Sequence, residues 1–521
     1  MTQLTNPIGG KIAQITKICA QRLGVGLLAY CILSCQHLPP QKSLKLGIWY
    51  WNSPFSLSAT QKSQLHQIGI TYLFIKTASF TTDGTNVLLK EPVQWNSKAK
   101  GFHVVLVFTV DVGLRGHFRH FPIATIVNGF SQGIQTEVNR AQKAGIRLSG
   151  VQIDFDCPTS QLTKYARVIK QTRKRIHFDG TFSITALQTW LSNSAYSKLA
   201  RECNFIAPQF YEGTFGNTLE STKPIPDIDN ITNGLQQASR PGKPVWAGLA
   251  SYGHALVFSP NDHIEGIYHG LQPEDAFRLP ALQYQETLNL KTSHFDGWDG
   301  ETLAIFQAIH PDIHGRGIGT KIAFAIPSAR TLKLQWQTFL QNRTSQCEGA
   351  IFYRFPQPND QMALSLPTIN AVVHAQPIKQ KFKVTLHKKS DPYSLLAPHQ
   401  SKKKIAMDYQ VVVDDEGTEA TRVIPRGFAI VIQFSQPGFD QLDHGQFDQV
   451  ITGQINRNGQ FVPLAQAQSN CVMLIEHNFV PGERIKSGTI VTGNNGSRAM
   501  HYKWRAISPN GSPSYFSGNV K

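Results

Sequence analysis

The chain has 521 residues, which suits two or three domains, and its 41% hydrophobic and 10% aromatic content excludes a disordered protein. Only 16% of residues are charged, yet Lys and Arg outnumber Asp and Glu by 51 to 34, for a formal +17. The excess is scattered in short runs such as Arg173-Lys174-Arg175 and Lys402-Lys403-Lys404. That excludes a basic tail of the histone type, and with no recognition motif nucleic-acid binding is only weakly supported; a basic surface equally suits anionic lipid headgroups, phosphate-rich polysaccharide or acidic glycans.

The first 35 residues read as an address. Lys11, Lys17 and Arg22 come without an acid, an apolar run follows from Leu23 to Leu33, and Ser34-Cys35 closes it. Such a run spans about 16 Å as a helix, too short for a bilayer but suited to a secretory signal. Ile32-Leu33-Ser34-Cys35 resembles a bacterial lipobox, which implies a lipid on Cys35 and a mature chain beginning there. Gln36 after it, rather than Asp, implies the outer membrane over the inner. An amphipathic helix with a chance Cys is the alternative. Residues 36–44 read as a tether.

From 45 to 376 apolar, strand-like runs alternate with helical stretches. The runs are Leu46–Trp51, Thr71–Thr77, His103–Asp111, Leu148–Asp156, Thr181–Leu187, Phe205–Tyr211, Val245–Ser251 and Ala350–Phe355. Ile126, Phe130, Ile134, Val138 and Ala141 keep helical spacing up to Gly145, as do Leu162, Tyr165, Ala166, Ile169 and Ile176. Eight such units predict an α/β fold, a (β/α)₈ TIM-like barrel. A doubly wound open sheet is the rival, and it lacks the Gly-rich loop a nucleotide would need. The seventh unit is swollen by an insertion over about 257–318, placed where barrel loops shape a cleft. Past 377 the helical period vanishes. Lys381–His387, Ala406–Val413, Phe428–Phe434, Val472–Glu476, Thr489–Thr492 and Tyr502–Ile507 predict a C-terminal β-sandwich-like domain over 377–521.

Cys19 and Cys31 would leave with the signal. Cys157, Cys203, Cys347 and Cys471 fit no zinc pattern and read as separate buried thiols. The histidines, His103 and His254 among them, show no ligand spacing, so no metal site and no cofactor are expected.

The fourth strand carries the chemistry. In Val151-Gln152-Ile153-Asp154-Phe155-Asp156 the apolar residues would face the helices and Gln152, Asp154 and Asp156 the barrel interior, each about 6.5–7 Å from the next. Carboxylates are costly to bury in a parallel strand, which is normally apolar on both faces. A close pair also splits in proton affinity, which suits one as acid and one as charged stabiliser. The plainer alternative is an Asp156 that caps the next helix and an Asp154 in a buried ion pair.

Ser149-Gly150-Val151-Gln152-Ile153-Asp154-Phe155-Asp156 resembles the fourth-strand signature Asp-Gly-x-Asp-x-Asp-x-Glu of glycoside hydrolase family 18, the chitinase-like barrels. The resemblance puts Gln152 in place of the first inner Asp, Asp154 on the Asp that orients the substrate's acetamido group, and Asp156 on the catalytic Glu. Gln209-Phe210-Tyr211-Glu212 is similar to the family's Met-x-Tyr-Asp, which implies a substrate contact for Tyr211; Glu212 would be a second carboxylate across the mouth. Ala247-Gly248-Leu249-Ala250-Ser251-Tyr252-Gly253 resembles its seventh-strand run. Asp for Glu withdraws the carboxyl by about 1.5 Å, so either the site is rebuilt around Asp156 or the barrel binds sugar without cutting it. The signal, the Gln-Ile-Asp-Phe-Asp strand, Ser183-Ile184-Thr185-Ala186-Leu187 with Trp190, and Pro208-Gln209-Phe210-Tyr211 also look like a bacterial lipoprotein family defined by domain of unknown function 3142.

Tyr50, Trp51, Trp190, Tyr252, Tyr353 and Arg354 stand near strand ends, where rings stack on sugar faces; with Gln152 and Gln209 they form the expected binding set. The function expected is a lipid-anchored envelope protein whose barrel acts on a cell-wall or extracellular glycan. A non-catalytic glycan-binding or envelope-assembly lipoprotein is the alternative.

Overall fold

The computed structural model describes residues 43–211, 216–223, 225, 228–268, 270–290, 301–311, 317–358, 360–389, 408–492 and 497–519. The signal, Cys35 and the beginning of the tether lie outside these residues, as does Glu212. Among the described residues no helix is long and apolar enough to cross a membrane.

The eight parallel barrel strands are Lys45–Tyr50, Ile70–Thr82, His103–Val110, Leu148–Asp154, Thr181–Ala186, Phe205–Pro208, Val245–Ala250 and Cys347–Tyr353. Each pairs with its predecessor, and the first pairs with both the second and the eighth, so the sheet closes. Closure excludes the open-sheet rival. A short strand, Val87–Lys90, folds back on the overlong second strand.

Helices form where the sequence supplies a stripe and a cap. Ser58 and Gln61 make a capping box at the start of Ala59–Ile68, and Ser328 and Ser365 cap Ala329–Gln341 and Leu366–Val373. In Ile123–Lys143 the buried face is Ile126, Phe130, Ile134, Val138 and Ala141, and Gly145 beyond it takes a positive φ. In the barrel Trp49, Phe74, Val105, Val107, Phe205, Ala207, Trp246 and Ile351 pack together. Glycines make room for the large rings. A Cβ on Gly349 would stand 2.5 Å from the Trp246 ring, and one on Gly248 would stand 2.9 Å from the Pro208 carbonyl.

The swelling after the seventh strand holds an antiparallel sheet as well as loop. Its strands are His254–Phe258, Ile264–Tyr268, Leu282–Asn289, Thr302–Ala308 and Lys321–Ile326, with the helix Pro273–Arg278 between the second and third. Its first and last strands reach beyond 257–318, so the sheet runs directly off the barrel. The C-terminal domain has two antiparallel sheets around Val411, Val413, Phe428, Ile430, Ile432, Val472, Leu474 and Trp504. Cys157, Cys203, Cys347 and Cys471 are buried free thiols.

Candidate functional site

The fourth strand alternates as its sequence implies. Val151, Ile153 and Phe155 are buried, with Phe155 edge-on to Phe118 and Tyr165 of the helical layer. Gln152, Asp154 and Asp156 take the other face, at rising height. Gln152 is fully buried; its Oε1 accepts the indole N–H of Trp49 at 2.8 Å, and its Nε2 lies 3.4 Å from Ser183 Oγ. Asp154 ends the paired part of the strand. Its Oδ1 accepts from Thr185 Oγ1 at 2.7 Å and from Gln209 Nε2 at 3.4 Å. Asp156, one step further out, is 46% exposed and lies 3.5 Å from Arg115 Nη1.

These positions set the proton affinities. Withdrawal from water lifts the Asp154 carboxyl to about 7, and the Asp156 charge adds to the rise, against the bonds from Thr185 and Gln209 and the charge of Lys76. Partial desolvation at the rim also raises Asp156, and Arg115 opposes it. Arg115 belongs to the short helix Val112–His117, whose first turn is capped by Asp111 accepting from the Leu114 N–H at 2.8 Å. Asp111 in turn pairs with Lys90 at 3.1 Å.

Facing the carboxylates is an aromatic wall. Tyr211 stacks on Tyr353 with centroids 5.2 Å apart and planes 12° apart. Tyr252 meets both rings edge-on, Trp51 meets Tyr353 edge-on, and Trp49 lies under Tyr211 and Tyr353. Tyr252 and Tyr353 also line a recess of about 200 Å³, shared with His254, Tyr268, Gln272 and Arg354, between the barrel mouth and the insertion. One Arg354 nitrogen donates to both oxygens of Asp360, at 3.2 and 3.0 Å. A cavity of about 420 Å³ lies elsewhere, where the third strand begins, lined by Lys98–His103, Gly145 and Arg147.

Three expected sugar contacts are corrected. Tyr50 is 4% exposed; its ring packs on Phe55 and Phe355, and its hydroxyl donates to Ser56 O at 3.0 Å. Trp190 is fully buried beside Tyr165, its N–H on the Cys157 carbonyl at 3.0 Å. Gln152 lies beneath the cleft as a floor residue. Conversely, Trp49, Thr185, Lys76 and Arg115 were not singled out. Strand alternation would have found Trp49, since it shares a face with Trp51 while Tyr50 takes the other. The same rule marks Thr185 beside Ser183. Nothing in the sequence marks Arg115, an exposed helical arginine.

Residues 122–263 match the family model described as "Domain of unknown function (DUF3142)". No curated protein matches the sequence. Among solved structures, the spore cortex-lytic enzyme SleL of Bacillus megaterium QM B1551 is 14% identical, covers 66% of this chain and 76% of its own, and has a TM-score of 0.41. A chitinase from Chromobacterium violaceum ATCC 12472 is 13% identical over 64% of this chain and 98% of its own, with a TM-score of 0.38. A glycoside hydrolase family 18 N-acetylglucosaminidase from Paenibacillus barengoltzii is 10% identical over 63% and 100%, with a TM-score of 0.40.

Chemically, the mouth offers a carboxyl that holds a proton near neutral pH, an exposed carboxylate above it, and a wall of rings. Among the described residues, the acidic group close enough to hold a cation is a different one: Glu274, Asp448 and Glu476, at the seam with the C-terminal domain.

Proposed function

We propose that the chain is a carbohydrate-acting barrel of the cell envelope, a glycoside hydrolase in which Asp156 is the general acid and Asp154 its partner. The observation that carries this reading is the pair itself: two inward carboxyls two residues apart at the strand end, one raised to about 7 by its surroundings, opposite stacked tyrosines. Both cannot ionise freely, so in the resting site a proton stays on Asp154 around neutral pH. A sugar lying on the mouth displaces water from Asp156 and raises it in turn. The proton then moves from Asp154 to Asp156, which gives it to the leaving oxygen as the glycosidic bond breaks. Asp154, now charged and held by Thr185 and Gln209, faces the positive charge on the sugar until water bonds to the anomeric carbon and returns a proton to the pair. Tyr211 and Gln209 contact the reacting sugar, while Trp51, Tyr252, Tyr353 and Arg354 hold its neighbours. Glu212 stands as a further carboxylate on sequence grounds alone. The shorter Asp side chain is accommodated because regular pairing ends at Asp154, which leaves the backbone of Asp156 outside the ladder.

The N-terminal signal supports attachment through lipid on Cys35, at the outer membrane. The basic excess is then read as a match to an anionic envelope rather than to nucleic acid.

A second reading, a glycan-binding or envelope-assembly lipoprotein without catalysis, is favoured by one contact: Arg115, 3.5 Å away, favours the charged form of Asp156 against the desolvation that raises it. The deciding experiment is reducing-sugar release from peptidoglycan, chitin oligomers and β-linked glycans, by the chain and by Asp156→Asn. Release that vanishes in the variant establishes the hydrolase. Saturable binding without release, unchanged in Asp156→Asn, leaves the binder.

A further inference from the structure

All eight barrel strands run parallel, so their first residues lie at one end of the barrel and Asp154 and Asp156 at the other. The segments that lead into the strands at the first end, 97–103, 143–148, 174–181, 201–204, 240–244 and 341–348, hold ten lysines and arginines against three acids. Two of those acids are already met: Glu202 pairs with Lys170 at 3.7 Å and Glu348 with Lys45 at 3.5 Å. The third, Asp179, is exposed. At the mouth the cations have acids opposite them instead: Lys90 faces Asp111, Arg115 faces Asp156 and Arg354 faces Asp360. The cavity of about 420 Å³ gathers part of the excess. Lys98, Lys100 and Arg147 line it with His103, and no acid lines it. These three cations are exposed, and among the described residues none of them makes an ion pair. Gly101 and Gly145, both at positive φ, give the cavity a wall of bare backbone between them. Beside it the half-buried Tyr72 stacks on His103 with centroids 4.6 Å apart.

We propose that the barrel end opposite the mouth docks on a surface of anionic phospholipid, with Lys98, Lys100 and Arg147 taking headgroup phosphates at the cavity. Like charges gathered without acids repel one another, and an anionic partner supplies what the fold leaves out. The charge is spread over six separate segments, which suits an extended surface, whereas a single small anion would use the cavity alone. Exposed lysines and arginines reach headgroups on flexible stems and stay hydrated, so the contact needs no buried charge. The membrane itself is taken from the proposed envelope location; the cationic end is independent of it. On that reading the two attachments act from one side. Lys45 opens the first strand at this end, nine residues past the tether's start at Gln36, and nine residues span about 30 Å when extended. The mouth, with Asp154 and Asp156, then points away from the bilayer and toward polymer beyond it.

The test compares the full chain with its Lys98→Gln/Lys100→Gln/Arg147→Gln variant in vesicle sedimentation. The vesicles are phosphatidylcholine, alone or with about 30% phosphatidylglycerol, at about 0.05 and 0.5 M sodium chloride. The apolar run Leu23–Leu33 is common to both proteins, so the difference between them reports the barrel end. The wild type should prefer the anionic vesicles, and salt should weaken that preference. The variant should lose about tenfold or more in affinity for them, since each charge near such a surface is worth about fivefold. Its circular dichroism should match the wild type, because all three side chains are exposed. Lys383→Gln/Lys388→Gln/Lys486→Gln removes the same charge from the C-terminal domain and should bind as the wild type does. Hydrogen exchange on the anionic vesicles should slow at 97–103 and 143–148 and stay unchanged at the mouth. Sugar release is measured on soluble oligosaccharide in parallel, so a failed hydrolase and a failed docking face are seen separately. Equal binding to the two vesicles overturns the proposal, as does a smaller loss in the first variant, an equal loss in the second, or protection at the mouth. Capture of the wild type by soluble polygalacturonate without vesicle binding overturns it in favour of an acidic glycan.

Discussion

Thr185 Oγ1 donates to Asp154 Oδ1 at 2.7 Å across the fourth and fifth barrel strands. Their alternation turns both side chains inward, so a bond between neighbouring strands sets the electrostatics of the site. A hydroxyl donating to a carboxylate favours the charged form. Thr185→Val keeps the shape and deletes the donor. The Asp154 carboxyl, followed by carbon-13 NMR titration, should then move up from about 7, by about one unit. An unchanged titration would show that the bond is not populated in solution.

Asp154 also couples stability to pH. Its carboxyl sits at about 7 in the fold against an ordinary 3.8, so the folded chain binds more protons than the unfolded one between those values. Stability from this group is fully present below pH 4 and is lost as pH rises through 7. Asp154→Asn should flatten that slope, and at pH 8 it should be more stable than the wild type by a few kcal/mol at most. Glu419 and Glu483, both raised to about 7, slope the same way, so the informative quantity is the difference between variant and wild type. An equal slope in both proteins would mean that Asp154 titrates normally.

Much of this site was legible because a parallel strand has little reason to carry carboxylates inward. Gln152, Asp154 and Asp156 therefore stood out, and so did the barrel, whose eight apolar runs need burial on both faces. The insertion was not legible as a sheet. Leu282–Asn289 is largely exposed and polar, and Ile264–Tyr268 is exposed, short and broken by Gly266, so both read as loop. In the C-terminal domain Pro513–Asn519 is likewise largely exposed, Arg484–Lys486 is only three residues long, and Gln449–Ile455 is half-buried with an interrupting Gly453. Nearness to the strand end points to Tyr50, whereas strand alternation puts Trp49 on the inner face with Trp51. Arg115 reaches Asp156 only through the fold, since 41 residues separate them.

Arg115 tunes Asp156 without holding the fold together. Both partners are substantially exposed, and exposed pairs contribute about 0–1 kcal/mol. Arg115→Gln should leave unfolding free energy within about 0.5 kcal/mol of the wild type. It should raise the Asp156 titration, because the opposing positive charge is gone. Where the chain hydrolyses glycan, the basic limb of its pH profile should shift upward with it. A large loss of stability would place Arg115 in a structural role instead.

The floor behaves differently, because Trp49 and Gln152 are buried. Gln152→Leu strands the indole N–H that Gln152 Oε1 accepts at 2.8 Å, at a cost of about 1–3 kcal/mol. Pairing it with Trp49→Phe removes the stranded donor. The double variant should lose less than the two single losses added together, and urea unfolding of all four proteins gives the coupling. Strict additivity would mean that the two side chains do not share the bond.

Tyr353 and Tyr50 separate cleft from core. Tyr353 is partly exposed, lines the recess of about 200 Å³ and stacks on Tyr211. Tyr50 is closed off, its hydroxyl also accepting the Ser56 N–H at 3.1 Å. If the mouth binds glycan as proposed, Tyr353→Ala should weaken that binding by about tenfold, the worth of one ring contact. Tyr50→Phe should leave binding unchanged and cost about 1 kcal/mol of stability, because it deletes hydrogen bonds to one backbone turn. Calorimetry with a bound oligosaccharide and urea unfolding of both variants make the comparison. Were Tyr50→Phe to weaken binding as strongly as Tyr353→Ala, the loop at Ser56 rather than the aromatic wall would be the surface that meets the sugar.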